Sequence, residues 1–268
     1  MKVIRSVPLL MVCAILGAQT ADAAIPARAQ QAYTDGRYIM AATLCEAEGS
    51  GEAMAFAAQA RIADAITRDD GVCLECLVRA EETAQTAINR DPKLAEAYVQ
   101  LAVAMGFHGR LVSAMDAQAE GLAERGRAAI DKALELEPSN IWARASLGGW
   151  HLEIVHRAGA FLAGALYGAH EDEGLKLFRE ALADDPGSLV LRFHFALSIL
   201  ALDVEKYRGE AAQVLQDGYK DPGRDALGVL TRAHAEKLRD LLKTGSAKEI
   251  AALVRRFEGY PPDASASN

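Results

Sequence analysis

The chain has 268 residues, 51% of them hydrophobic and 25% charged, with 29 lysines and arginines against 37 aspartates and glutamates, a net charge of −8. An acidic balance without basic runs argues against nucleic-acid binding, which rests on clustered Lys and Arg neutralising phosphates. The length suffices for one large domain or one elongated array with a sizeable core.

The first element in chain order is a leader. "MKVIRSVPLLMVCAILGAQTADAA" sets Lys2 and Arg5 before an apolar run from about Val7 to Ala18, followed by the small-x-small pattern Ala21-Asp22-Ala23. Residues 1–23 therefore read as a secretory signal peptide cleaved after Ala23. The run is short for a permanent anchor, and no later apolar span reaches membrane length. Cys13 leaves with the leader. Removing Lys2, Arg5 and Asp22 takes the charged counts from 29 and 37 to 27 and 36, or −9, over 245 remaining residues. The expected location is the periplasm or the outside of the cell.

Three cysteines remain, Cys45, Cys73 and Cys76. In an oxidising compartment the simplest arithmetic is one disulfide and one free thiol. "CLEC" copies a thioredoxin-type spacing, but no strand-helix-strand pattern flanks it to carry redox chemistry. A structural bridge is expected, either Cys45 to Cys76 or Cys73 to Cys76. The first would close a loop of about 30 residues and stabilise by roughly 3 kcal/mol.

Beyond the leader, Ala, Leu and charged residues recur at helical spacing and nothing alternates long enough for a strand, so the fold class is all-α. "NRDP", "ELEP", "ADDP" and "YKDP" place Pro92, Pro138, Pro186 and Pro222 at intervals of 46, 48 and 36. Each proline marks one helix end and the next start. Before the first three, a small-residue ladder repeats: Ala80, Ala84, Ala87; Gly126, Ile130, Ala133; Gly174, Phe178, Ala181. After them comes a second: Tyr98, Leu101, Ala102, Met105; Arg144, Leu147, Gly148, His151; Arg192, Phe195, Ala196, Ile199.

Together the ladders resemble the tetratricopeptide repeat, whose pattern is aromatic-x2-Leu-Gly-x2-Tyr, then Ala-x3-Phe-x2-Ala, then Pro. The match covers roughly Leu77 to Pro222. It departs from the pattern where Arg144 and Arg192 replace the first aromatic, and where Met105, His151 and Ile199 replace the tyrosine. The resemblance implies a right-handed α-solenoid of antiparallel helical hairpins over residues 24–258, with irregular insertions, whose concave face binds a protein or peptide. Residues 259–268 read as a disordered tail.

A repeat of this family takes about 34 residues, so the two long intervals carry about 12 and 14 extra. These fall around "GFHGRLVSAMDAQ" and "HRAGAFLAGALYGAH". The second insertion, 158–170, follows a helix expected from Ile141 to about Arg157. It is too short to span a membrane and reads as a short helix or ordered loop folded over a groove. His151 and His156 stand five apart, on different faces of that helix, where a zinc helix uses four. His151 reads as a core residue and His156 as a helix-end cation. No metal site, cofactor motif, nucleophile elbow or phosphate loop is present in the sequence, and the chain reads as a non-enzyme.

The resemblance implies a concave face that receives Val99, Val103 and Phe107, then Trp142, Ala145, Gly149, Leu152 and Glu153, then Val190, Phe193, Leu197 and Leu200. Phe161 and Tyr167 of the insertion join them, and this largely apolar groove lacks the Lys, Arg and Asn that grip a peptide carboxylate in the family. Trp142 should face the groove, and Trp150 should pack towards the insertion near Phe161 and Tyr167. Two functions follow from the resemblance and the groove. One is a periplasmic scaffold binding a protein partner through its concave face and insertion edge. The other is a carrier or transporter accessory holding an apolar small molecule under the 158–170 insertion, similar to repeat proteins associated with tripartite periplasmic transporters.

Overall fold

Where helices carry small residues at three- and four-residue spacing, their axes come close, and that sets the architecture. The computed structural model describes residues 25–216 and 225–261, and among these every regular element is helical. The leader, the fourth proline motif at Pro222 and residues 262–268 of the expected tail lie outside the described residues. The helices are α1 Ala27–Thr34, α2 Tyr38–Glu48, α3 Gly51–Ile66, α4 Leu74–Arg90, α5 Ala95–Leu111, α6 Ala114–Ala119, α7 Leu122–Leu136 and α8 Ile141–Ala158. There follow α9 Ala160–Leu162, which runs into a π-helical turn at Ala163–Tyr167, then α10 Glu171–Asp184, α11 Leu189–Leu202, α12 Val204–Gln216, α13 Ala226–Thr244 and α14 Ala247–Phe257. No described helix is long and apolar enough to cross a membrane.

Pro92, Pro138 and Pro186 each stand in the connection between two helices, as their missing amide proton requires. Local bonds then restart each helix. Asn140 accepts from the Ala143 amide at 2.8 Å and Ser188 from the Leu191 amide at 3.3 Å. Tyr98 and Arg192 occupy the same ladder position and do the same work with different chemistry. The Tyr98 hydroxyl donates to the Pro92 carbonyl at 3.1 Å, and Arg192 Nε donates to the Pro186 carbonyl at 3.0 Å.

Helices pair as α3 with α4, α5 with α7, α8 with α10 and α11 with α12, while α3, α5, α8 and α11 touch in succession. One close crossing joins α8 to α10. A Cβ on Gly148 would lie 2.9 Å from the Gly174 carbonyl oxygen, and one on Gly174 would lie 2.7 Å from Leu152. The first three helices bury an almost all-alanine core with Cys45, whereas α10 to α14 bury larger side chains such as Phe178, Phe195, Leu197 and Leu238. The α13–α14 pair packs on α11 and α12, and the start of α13 reaches α1. The first helix and the start of α13 thus meet beside the inner side of α3, α5, α8 and α11.

The bridge forms between Cys73 and Cys76 at the start of α4, with Cα atoms 5.2 Å apart, so the 30-residue loop through Cys45 is not closed. Cys45 is free and buried, and burial, helped by Glu48 and Glu46, pushes its thiol up to about 11. Both surplus segments lie between paired helices: α6 between α5 and α7, and α9 with its π turn between α8 and α10. Gly159 (φ 76°) and Gly168 (φ 64°) bound the second, turning the chain through the left-handed region that side chains disfavour.

The glycine crossing is open to a direct test. Gly148→Ala forces backbone apart and is expected to cost about 1–3 kcal/mol in denaturant melts. Gly209→Ala, in α12 with nothing within 4 Å of the new methyl, is expected to be neutral or to gain up to about 1 kcal/mol of helix propensity.

Candidate functional site

The inner sides of α3, α5, α8 and α11 line a half-open cavity of about 590 Å³, to which α6, α7 and the start of α13 add their own residues. Two helices set its length. Val99 packs in one cluster with Ala143, and Arg110 bonds Glu153, so α5 and α8 run side by side in the same direction. Glu96 and Arg110 both line the cavity, which therefore follows α5 for about 20 Å at 1.5 Å per residue. Most of that length is walled by short apolar side chains, among them Val99, Val103, Ile130 and Ala145, with Trp142 beside them.

One end is charged. Arg110 donates to Glu153 Oε2 through Nε at 3.1 Å and Nη2 at 2.9 Å, and its Nη1 donates to the Glu258 carbonyl at 3.2 Å. The Tyr260 hydroxyl donates to the other oxygen of Glu153. Phe107 and Tyr260 present ring faces to the Arg110 guanidinium, 5.4 and 6.0 Å from its carbon. Burial alone would raise the Glu153 carboxyl, but the Arg110 charge and the bonds from Tyr260 and Arg110 hold it below its ordinary value. Glu258 is different: it is buried, its Oε2 has no hydrogen-bond partner among the described residues, and burial pushes its carboxyl up to about 8. His194 of α11 also faces this end, and desolvation with the nearby Arg110 charge lowers it to about 4, so it is neutral at pH 7.

Of the residues expected at the groove, Val99, Val103, Phe107, Trp142, Glu153 and Tyr167 line the cavity. Leu152, Phe193 and Leu197 do not; they are core. The correction on α11 is one of rotation, since one residue turns a helix by about 100°. Val190, Leu191, His194 and Ser198 face the cavity, while Phe193, Leu197 and Leu200 face the other way, Phe193 meeting Phe257 of α14 at 5.7 Å. Phe161 is 83% exposed and takes no part. The insertion contributes only Ala158 and Tyr167, and Asp225, Leu227 and Gly228 at the start of α13 supply wall where the sequence reading had the insertion as roof.

Sequence reasoning missed Arg110, Arg157, His194 and Tyr260. Arg110 fell within the first expected insertion, Arg157 at the expected end of its helix, and Tyr260 in the expected tail. The one signal at hand was an aromatic, Tyr260, in an otherwise small and polar terminus. His151 is a buried residue as expected, and its Nδ1 accepts from the His170 amide at 3.0 Å, which anchors the end of the insertion. Trp150 is half-buried: its Nε1 donates to the Ala123 carbonyl at 2.9 Å, Arg127 stacks on it at 5.1 Å, and it shares a cluster with Tyr167.

Two expectations follow. Trp150→Ala should cost about 3 kcal/mol in denaturant melts and Trp142→Ala, at 43% exposure, well under half of that. For Glu258 the folded carboxyl titrates above its unfolded value of 4.5, so its stabilising contribution is complete below pH 4.5 and is lost as pH rises through about 8. Buried neutral His194 acts oppositely, adding stability as pH rises from about 4 to 6.5. Glu258→Gln should therefore flatten the fall in melting temperature between pH 6.5 and 8.5 that the unaltered protein shows.

With this geometry in view, the chain matches no protein-family model, and no curated protein matches it either.

Proposed function

We propose that this chain is a non-enzymatic binding protein that holds an apolar small molecule inside the cavity between α3, α5, α8 and α11. The observation that carries the reading is the cavity itself. At about 590 Å³, with apolar walls and a few convergent polar groups at one end, it has the size and character of small-molecule sites. We infer further that the helix pairs are turns of a tetratricopeptide-like right-handed solenoid. A secreted or periplasmic setting, after cleavage of residues 1–23, fits the Cys73–Cys76 bridge.

A second reading, a scaffold for a protein partner, draws on the insertion edge rather than the inner face. Met115 on α6 and Phe161, Leu162 and Leu166 on the second insertion are exposed large apolar side chains of the kind that mark interaction sites.

The neutral fluorophore N-phenyl-1-naphthylamine tests the first reading. It should bind saturably at one per chain. Gly126→Leu puts its side chain into open space on the cavity wall, and should weaken binding about tenfold or more with little change in the melt. Non-saturable binding, or equal affinity in the variant, would count against the cavity as the site.

A further inference from the structure

The Cys73–Cys76 bridge is a poor staple and a well-placed reactive group. Its cysteines are three apart in sequence, so it closes one of the shortest loops a disulfide can, where it restricts the unfolded chain least. The turn is also held without it: the Cys73 amide donates to the Ala65 carbonyl at 3.1 Å, and the Leu77 amide to the Cys73 carbonyl at 3.1 Å. The two sulfurs would therefore stay within reach of each other after the bond opens.

Thiol–disulfide exchange needs no flanking sheet; it needs a stabilised thiolate and room for an incoming sulfur. Cys73 is the N-cap of the 17-residue α4, and its Sγ accepts from the Cys76 amide at 3.2 Å. A thiolate formed there meets a helix amide and the positive end of the helix dipole. Glu75 in the same turn opposes this, but it is exposed and screened by water, and exposed Asp70 pairs with Arg68 at 3.4 Å. Both bridged cysteines are only half-buried, and Leu74 between them and Val78 one turn on are exposed apolar side chains. Cys45 has none of these features and is fully buried.

We propose that Cys73 and Cys76 form a thiol–disulfide exchange site that takes electrons from paired cysteine thiols of a protein or peptide, whatever the cavity holds. A substrate thiolate attacks Cys73 Sγ; the bond to Cys76 breaks, and its electron pair leaves on Cys76 Sγ, which takes up a proton. The substrate's second thiol loses its proton and attacks the substrate sulfur of the mixed disulfide. That closes the substrate disulfide and releases Cys73 as a thiolate beside the Cys76 amide. The substrate loses two electrons and the chain gains them, and stabilisation of the released thiolate favours this direction.

The folded full chain, with its bridge closed, is mixed at pH 7 with a reduced synthetic peptide carrying two cysteines, and glutathione disulfide at equal concentration is the yardstick. The chain should oxidise the peptide about tenfold faster or more, with new thiols appearing at Cys73 and Cys76 in peptide mass maps. A rate equal to or below that of glutathione disulfide, or no new thiols at these two positions, overturns the proposal. A second measurement addresses the thiolate. In Cys76→Ser the alkylation of Cys73 by iodoacetamide, read by mass apart from Cys13 and Cys45, should rise with pH through a midpoint at or below about 7.5, against about 8.5 for an ordinary thiol. A midpoint at or above the ordinary value overturns it as well. If Cys76→Ser does not fold, the rate with the unaltered chain decides alone.

Discussion

Taking an arginine and a glutamate out of water costs several kcal/mol for each charge, and only good geometry with further hydrogen bonds recovers it. Arg110 and Glu153 meet those terms by drawing on three separate stretches of chain. The guanidinium comes from the end of α5, the carboxylate from α8, and the remaining oxygen and donor are satisfied by Tyr260 and the Glu258 carbonyl. Without Tyr260 one oxygen of Glu153 would lose its partner; without Glu153 the buried Arg110 charge would lose its match. The pair therefore couples the register of α5 on α8 to the position of the C-terminal segment. Gly259 belongs to this arrangement, because a Cβ there would lie 2.8 Å from Val72 and its φ is 85°.

The cavity itself is a consequence of side-chain size. Alanine and glycine on the paired faces let helices approach closely, as at Gly148 and Gly174. Other small residues, among them Gly126, Ala145 and Gly149, line the cavity with Val99 and Val103 on α5, α7 and α8. The start of α13 adds Asp225, Leu227 and Gly228 to the wall, and the inner side is left unfilled. Towards the C-terminal end the larger Phe193, Leu197 and Leu200 turn away from that space and pack on α13 and α14, which leaves His194 and Ser198 facing it.

The insertions sit beside this space without sealing it. Ala163 and Ala169 are buried against Val155, which fixes the π turn to α8, while Phe161 and Leu166 stay in solvent. The anchoring uses backbone and small side chains, so the large apolar groups remain on the outer edge, next to a cavity wall to which Tyr167 belongs.

Much of this was legible along the chain. Helical periodicity, the prolines at 92, 138 and 186, and the small residues at 148 and 174 each act through local sterics, which need no knowledge of the fold to read. The helix Ile141–Ala158 was expected almost to its ends, and in the structure Asn140 caps it and Gly159 stops it. The tetratricopeptide resemblance implied that Val99, Val103, Phe107, Trp142 and Glu153 share one inner surface, and all five line the cavity. The rotation of α11 could not be read, because its sequence, "LVLRFHFALSILAL", is apolar on every side and only the arrival of α13 and α14 decides which side is buried. The pairing of Arg110 with Glu153 and Tyr260 spans 43 and 107 residues of separation from Glu153, and no local pattern encodes a contact at that range. Composition and spacing determined helices, their breaks and their close crossings; which charges would be buried together, and whether the inner face would be open, filled or enclosed, was decided only when distant segments met and had to satisfy one another's charge and volume.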